Sequence, residues 1–223
     1  MKVIITGATG MIGKGVLLEC LDDERVTKVL VLGRNSVGIK HPKLHEEIHK
    51  DFSTFHSRQA MLAEYDACFH CMGVSAAGMS EEKYTTLTHL YSMALAISCY
   101  KANSKMTFIY VSGTGTDSTE KGRAMWARVK GKTENDILKL GFKQAFMFRP
   151  GAIRPLRGIK SRTRLYRNIY RVMSPFWPVF KALMGKNLTD TVRIGKAMIN
   201  AVDKGNSEIY LENPQINSLA AKS

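Results

Sequence analysis

Three glycines near the N-terminus, Gly7, Gly10 and Gly13, have the spacing of a phosphate-binding turn. A β-branched run at residues 3–6 precedes them, and an amphipathic helical pattern follows at once. A helix N-terminus exposes unpaired N–H groups and carries a partial positive charge, so it binds phosphate well. Gly7 permits the tight turn, Gly10 lets the backbone approach a pyrophosphate, and Gly13 lets the helix pack closely on the strand. The pattern predicts a dinucleotide site; a structural turn without a ligand is the alternative.

A basic residue, Arg34, follows the second apolar run and is flanked by Gly33 and Asn35. NAD-specific sites place a carboxylate there, which accepts a hydrogen bond from the ribose 2′-hydroxyl, whereas an arginine pairs with the 2′-phosphate of NADP. Because this turn has no carboxylate, the sequence favours NADP as the cofactor. A solvated arginine without a ligand is the alternative.

Strand-like and helix-like segments alternate along most of the chain. This alternation predicts an α/β fold with a doubly wound parallel sheet, whose ligands bind beyond the carboxyl ends of the strands. Ser80 is the expected N-cap of one long helix, and Gly141 is expected to end another. After the first strand, further strands are predicted at 28–32, 44–50, 65–72, 107–111 and 142–148, and the two long helices at 81–102 and 123–140.

The composition of the 223 residues is typical of a soluble globular protein, and the length fits one domain. No signal-peptide pattern and no apolar run of about 20 residues is recognisable, and four cysteines make no disulfide framework. A cytoplasmic protein is therefore expected. The net charge of +14 is concentrated between residues 151 and 189, where nine basic residues occur without any Asp or Glu.

This basic segment has three interpretations. The favoured one is a lid over the substrate site, because apolar residues recur at helical spacing between 165 and 176. The second is binding of residues 154–186 to an anionic membrane surface, which suits a basic, aromatic-rich stretch and would make the protein peripheral to a membrane. The third is another anionic partner, although no specific nucleic-acid-binding module is recognisable.

Two short motifs resemble metal sites and are interpreted otherwise. His45 and His49 flank a zinc-protease pattern that requires a helix, but the segment lies where the third strand is predicted. Cys68 and Cys71 have a CxxC spacing without a second pair, and they lie in the apolar fourth strand, so buried core cysteines are expected. No metal site is predicted.

Four motifs in order, residues 6–13, 110–113, 128–134 and 149–152, resemble those of the short-chain dehydrogenase/reductase superfamily, in its atypical, epimerase-like branch. The resemblance covers about residues 1–155. It implies that Ser112 hydrogen-bonds a substrate carbonyl and that Lys130 binds the nicotinamide ribose, which makes these two the candidate catalytic residues. The cofactor-binding set, with Arg34 added on the ground given above, is Gly7, Thr9, Gly10, Met11, Ile12, Gly13, Arg34, Asp51, Phe52, Gly73, Val111, Lys130, Pro150, Gly151 and Ala152.

The tyrosine that the family places four residues before the lysine is missing, because that position is Trp126. An indole has one N–H donor and no useful titration, so it cannot replace a phenol as acid or base. Three explanations remain open: a different proton donor, a protein that binds the cofactor without hydride chemistry, or an alignment shifted by one turn, against which the retained residues around Lys130 argue. The alternative donors are Tyr84, Tyr110, Asp117 or a water held by Ser112.

The sequence therefore predicts an NADP-binding core at 1–155, a basic substrate or lid segment at 156–190, and a C-terminal helix and tail at 191–223 that complete the same domain. The expected function is that of an oxidoreductase or epimerase acting on a carbonyl or hydroxyl group of an unidentified small molecule. The alternative is a non-catalytic NADP-binding regulator or assembly factor. The oligomeric state is left open.

Overall fold

The computed structural model describes residues 1–159 and 185–222. Within these residues, seven strands form one parallel sheet in the order β3-β2-β1-β4-β5-β6-β9, and two short strands, β7 and β8, form a second parallel pair. The strands are β1 (Lys2–Thr6), β2 (Lys28–Gly33), β3 (Leu44–Ile48), β4 (Ala67–His70), β5 (Thr107–Val111), β6 (Gln144–Arg149), β7 (Ala152–Arg154), β8 (Leu188–Asp190) and β9 (Tyr210–Glu212).

Helices cover both faces of the sheet, as the predicted doubly wound fold requires. One face packs α1, α6 and α7 over residues such as Val3 and Ile5. The other packs α2, α4 and α5 over residues such as Ile4 and Phe108. The helices are α1 (Met11–Asp22), α2 (Gln59–Leu62), α3 (Glu81–Thr85), α4 (Tyr91–Ala102), α5 (Met125–Lys139), α6 (Thr191–Lys204) and α7 (Asn213–Ala220).

The strand order reverses at β1, which pairs with β2 on one side and β4 on the other. Chain connections therefore leave these neighbouring strands in opposite directions, and a crevice opens beyond their carboxyl ends. The first glycine turn, the end of β2 and the end of β4 all meet at this crevice. The fold thus brings together the candidate residues of the glycine turn and those at the ends of β2 and β4.

The predicted fold class is confirmed, with local differences in the elements. The strand predicted at 107–111 has those bounds, whereas β3 ends at Ile48 and β4 starts at Ala67. The helix predicted at 81–102 starts at its expected cap, Ser80, but a π-helical turn at Thr86–Leu90 divides it into α3 and α4. The His45–His49 segment lies in and just after strand β3, so the helix that a zinc-protease motif needs does not form there.

The C-terminal part contributes more than the predicted helix and tail. Strand β9 extends the sheet beside β6, and α6 packs closely against α1. The close packing needs glycine at two crossing points: a Cβ at Gly15 would lie 2.6 Å from Thr191 Cβ, and a Cβ at Gly195 would lie 2.6 Å from Glu19 Cγ. The described residues of 1–155 and 191–222 therefore share one core.

Most of the basic segment, residues 160–184, lies outside the described residues, so the lid and membrane interpretations stay predictions. At its N-terminal border, Arg157 pairs with Glu19 at 2.9 Å and with Asp22 at 2.8 Å on α1. At its C-terminal border, Asn217 hydrogen-bonds the carbonyl oxygens of Lys186 and Leu188. No helix of the described residues is long and apolar enough to cross a membrane.

Candidate active site

A cavity of about 670 Å³ lies beyond the carboxyl ends of β1, β2, β4 and β5. Its walls come from the glycine turn, the end of β2, the segment after β4, the end of β5 and one face of α5. Residues predicted to bind the cofactor or act in catalysis make up much of its lining: Gly7, Thr9, Gly10, Met11, Ile12, Arg34, Phe52, Gly73, Val111, Ser112 and Lys130.

The glycine turn has the geometry of a phosphate cradle. Gly7 has φ +70° and a Cβ there would lie 2.6 Å from the backbone of Cys71, so both conformation and space require glycine. Gly10 is the N-cap of α1, and its N–H donates to the Gly7 carbonyl at 2.8 Å. Because Gly7 and Gly10 carry no side chains, a pyrophosphate can approach the backbone at the N-terminus of α1. The residues present fit a dinucleotide.

The end of β2 presents Arg34 as an exposed side chain on the cavity wall. Within the described part of the chain, its guanidinium makes no hydrogen bond or ion pair. The loop that follows is fixed by Glu46 of β3, which accepts hydrogen bonds from Ser36 Oγ at 2.9 Å and from the Val37 N–H at 2.8 Å. Glu46 therefore shapes this corner, and Arg34 lies on the cavity wall beside it.

Ser112, at the end of β5, belongs to a buried polar network. Its hydroxyl donates to Glu134 Oε1 at 2.5 Å, and Glu134 is completely buried on α5. Arg149 of β6 neutralises that carboxylate, with Nε 3.0 Å from Oε1 and an Nη2 hydrogen bond to Oε2. A carboxylate paired with arginine can only accept, so the single proton of Ser112 goes to Glu134, which is closer than the second acceptor, the Phe148 carbonyl oxygen at 3.3 Å.

Lys130 reaches the same place from α5. Its Nζ donates to the Ser112 carbonyl oxygen and its side chain lines the cavity. Burial lowers the pKa of the Lys130 ammonium to about 8, and the nearby Glu134 carboxylate offsets part of that effect. Burial disfavours the charged form of a lysine, so this ammonium gives up its proton more readily than a surface lysine.

Trp126 lines the cavity one turn before Lys130, at the position of the missing tyrosine. Of the alternative proton donors, Tyr110 is 1% exposed in the core behind β5, and burial raises the pKa of its phenol. Asp117 is used to fix its own loop, because its carboxylate accepts from Thr119 Oγ1 and from the Gly122 N–H, each at 2.6 Å. Tyr84 is the one of these three side chains that lines the cavity in the described residues.

The model of the NAD dependent epimerase/dehydratase family matches residues 3–121, more than half of the chain. The chain belongs to this family. This family member is 26% identical over 208 residues to "Protein fmp52, mitochondrial" of Emericella nidulans, covering 90% of the chain and 86% of that relative. It is 25% identical over 155 residues to "Protein HTATIP2" of Rattus norvegicus, covering 68% of the chain and 62% of that relative.

Solved structures resemble this epimerase-family chain in fold. UDP-glucose 4-epimerase of Thermotoga maritima has a TM-score of 0.69 at 14% identity, covering 99% of the chain and 81% of that structure. WbmH of Bordetella bronchiseptica, solved in complex with NAD+, has a TM-score of 0.64 at 16% identity, covering 95% and 74%. The predicted membership in the atypical short-chain dehydrogenase/reductase group, with its Rossmann-like fold and nicotinamide dinucleotide cofactor class, is confirmed by these findings together.

Five predicted cofactor residues of the family member lie off the cavity lining. Gly13 lies behind the turn, where it lets α1 pack on Gly7. The Asp51 carboxylate accepts from Ser53 Oγ at 2.6 Å and holds its own turn. The others follow β6: the Gly151 N–H donates to Asn213 Oδ1, Ala152 opens β7, and Pro150 precedes them. Gly13 thus supports the glycine turn from behind, whereas residues 150–152 hydrogen-bond Thr114 and Asn213, which do not line the cavity.

Sequence reasoning missed a second buried network, centred on His70 of β4. Its Nδ1 lies 2.7 Å from Thr6 Oγ1 and its Nε2 lies 2.8 Å from Ser92 Oγ. Ser92 donates its proton to the Thr88 carbonyl, so His70 Nε2 donates to Ser92. Complete burial lowers the pKa of the imidazole to about 3, so near neutral pH Nδ1 carries no proton and accepts from Thr6. The imidazole is therefore neutral, and its hydrogen bonds link β1, the strand that precedes the glycine turn, to the helix that follows the π-helical turn.

Proposed function

We propose that this protein binds NADP(H) and acts as an oxidoreductase or epimerase on a carbonyl or hydroxyl group of a small molecule. The observation that best supports this proposal is the order in which the predicted binding groups line one cavity. Arg34 stands at one end, the glycine cradle lies between, and Ser112 and Lys130 stand at the end of β5. This order is the order of the groups along NADP, from its 2′-phosphate through its pyrophosphate to its nicotinamide.

Each wall of the cavity has a distinct task in this proposal. Arg34 pairs with the 2′-phosphate, and the backbone around Gly10 binds the pyrophosphate. Lys130 holds the nicotinamide ribose, and the side chain of Trp126 shapes the place of the substrate and excludes water. The bound nicotinamide supplies or removes a hydride, and the protein must supply or remove the accompanying proton.

A second candidate function is a non-catalytic NADP(H)-binding regulator or assembly factor, and Trp126 is the observation that favours it. Turnover separates the two candidates. Transfer of deuterium from NADPH labelled at nicotinamide C4 to any carbonyl compound, seen by mass spectrometry, would remove the regulator. A protein that binds NADPH tightly and transfers no label to a broad carbonyl panel would contradict the oxidoreductase function.

We propose a reducing compartment for this protein, because all four cysteines lie in the described residues and none is in a disulfide. The cytoplasm satisfies this condition, and so does the mitochondrial location that the names of the fmp52 relatives give for those proteins. Contact of residues 154–186 with an anionic membrane surface is compatible with either place. Fractionation with a carbonate wash distinguishes soluble from peripheral protein.

Replacing Arg34 with alanine tests the cofactor assignment. The variant is expected to bind NADPH about 10- to 100-fold more weakly, since a charged hydrogen bond contributes about 1.5–3 kcal/mol, and to bind NADH within twofold of the original protein. Isothermal titration with each cofactor measures both affinities. Arg123→Ala removes an exposed arginine away from the cavity and is the matched control. Equal NADPH affinity in the Arg34 and Arg123 variants would rule out the assignment.

A further inference from the structure

The hydrogen bonds around Ser112 leave its hydroxyl without a proton for a substrate. The hydroxyl has one proton, which the Glu134 carboxylate accepts, and Glu134 is ion-paired with Arg149. Ser112 Oγ can therefore accept a hydrogen bond from a ligand but cannot donate one to a carbonyl oxygen. The family resemblance implies that Ser112 hydrogen-bonds the substrate carbonyl. Since Ser112 has no proton for that bond, the donor to the substrate oxygen must be a different group.

Few groups along the described cavity lining can release a proton. The titratable ones are Arg34, Cys71, Tyr84 and Lys130. Arg34 stands at the distant end, and burial raises the pKa of the Cys71 thiol to about 12. Tyr84 is 1% exposed, and burial raises the pKa of its phenol, so it gives up its proton less readily than a free tyrosine. Lys130 remains, half-buried beside Ser112 with one of its three N–H donors used by the Ser112 carbonyl.

We propose that Lys130 itself transfers the proton to and from the substrate oxygen, and that it replaces the missing tyrosine as the catalytic acid and base. The inference rests on the proposed function and assigns the proton transfer within it. Because its proton goes to Glu134, Ser112 Oγ acts as a hydrogen-bond acceptor in this site. It orients either a Lys130 N–H or the hydroxyl of an alcohol substrate. Trp126 then serves as an apolar wall that keeps the ammonium desolvated.

The step balances with the groups named. In the direction of reduction, an Nζ–H bond of Lys130 breaks and the nitrogen keeps the electron pair. An O–H bond forms on the substrate oxygen while the substrate carbon is reduced by the nicotinamide cofactor, which is oxidised. Water then reprotonates the neutral amine. In the direction of oxidation, the neutral amine accepts the hydroxyl proton.

The surroundings of Lys130 suit this role. Its pKa of about 8 is close to the pH at which enzymes work, where a proton donor is also readily reprotonated. Four other titratable or charged groups lie around the site in the described structure. Glu134 belongs to the same helix and Arg149 of β6 pairs with it; the phenols of Tyr84 on α3 and Tyr110 on β5 are both protonated near neutral pH, because burial raises their pKa.

The titration of Lys130 is measured first, in the protein without cofactor. Competitive acetylation with trace anhydride between pH 6 and 11, followed by peptide mass spectrometry, gives the midpoint for each lysine amine. For Lys130 we expect a titration midpoint at about pH 8. Lys132 on the same helix is the internal control and should titrate well above Lys130, because its hydrogen bond to Asp136 raises its pKa. A Lys130 midpoint above 10 overturns the proposal, whatever the turnover.

Variants then test the chemistry, with NADPH and a panel of aldehydes and ketones. Lys130→Arg keeps the positive charge but cannot release a proton, so turnover should fall at least 100-fold while NADPH affinity stays within about threefold. Lys132→Arg should change neither. Adding Trp126→Tyr to Lys130→Arg should restore part of the rate, because a phenol then stands one turn away.

The outcomes separate this inference from the proposed function. If the original protein binds no NADPH in calorimetry, the proposed function fails. If it binds NADPH and Lys130→Arg turns over at the original rate, the inference alone fails. Support consists of a midpoint near 8 together with a reduction rate that falls about tenfold per pH unit above it and loses this dependence in Lys130→Arg.

Discussion

A Gly13→Ala protein is expected to lose both the packing of its first βα unit and the binding of NADPH. A Cβ at Gly13 would lie 2.3 Å from the Gly7 carbonyl oxygen and 2.6 Å from the Gly7 carbonyl carbon. Both are backbone atoms of the phosphate turn, so relief requires α1 to move away from β1. Since α1 also packs on α6, the movement disturbs the central core. We expect about 4 kcal/mol or more of destabilisation and at least 100-fold weaker NADPH binding.

Gly10→Ala is the matched control, because it separates folding from binding. Gly10 has φ −84°, which alanine adopts freely, and its Cβ would come no closer than 3.2 Å to the Gly7 carbonyl oxygen. The free energy of unfolding of this variant should lie within about 1 kcal/mol of that of the original protein, but the variant should bind NADPH at least about tenfold more weakly. Urea unfolding and calorimetric titration measure the two quantities. A Gly13→Ala protein as stable as Gly10→Ala would contradict the packing described for the turn.

The sheet was predictable because its interior strands are continuous apolar runs, which is the pattern of strands buried on both faces. Residues 107–111 are buried throughout, and the predicted bounds agree with β5. At the edge, β3 pairs with β2 alone and is half exposed, so its apolar pattern is weak and the prediction extended two residues beyond Ile48. Strand β9 has three residues, too few for a periodic signal.

The candidate site could be predicted where one short motif contains all the residues that set the local geometry. The glycine turn and Arg34 each depend on neighbours in sequence, and both lie on the cavity. The roles of Ser112 and Glu134 depend on contacts between β5, α5 and β6, which no spacing along the chain reveals. Tyr110 was a candidate donor by its nearness to Ser112 in sequence, but its side chain is 1% exposed and packs in the core with Phe108 and Met147, which only the packing of the helices on β5 reveals.

Acidification is expected to destabilise this protein through His70, by roughly 3 kcal/mol between pH 7 and pH 4.5. Complete burial lowers the pKa of the imidazole to about 3 in the folded state, against about 6.5 in the unfolded chain. Between these values the unfolded chain binds a proton that the folded protein does not, so the free energy of unfolding falls as pH falls. In this range the free energy of unfolding falls by about 1.4 kcal/mol per pH unit, and the total loss approaches roughly 5 kcal/mol near pH 3.

His70→Gln should flatten this pH dependence. The glutamine amide keeps one acceptor for Thr6 and one donor for Ser92 but does not titrate, so a variant that is less stable at pH 7 should lose less stability on acidification. Urea unfolding at pH 7, 5.5 and 4.5 gives the slope for each protein. His45→Gln, which alters an exposed histidine on β3, should retain the original slope. Equal slopes for His70→Gln and the original protein would mean that other groups cause the acid sensitivity, and that the imidazole between β1 and the π-helical turn accepts a proton without unfolding.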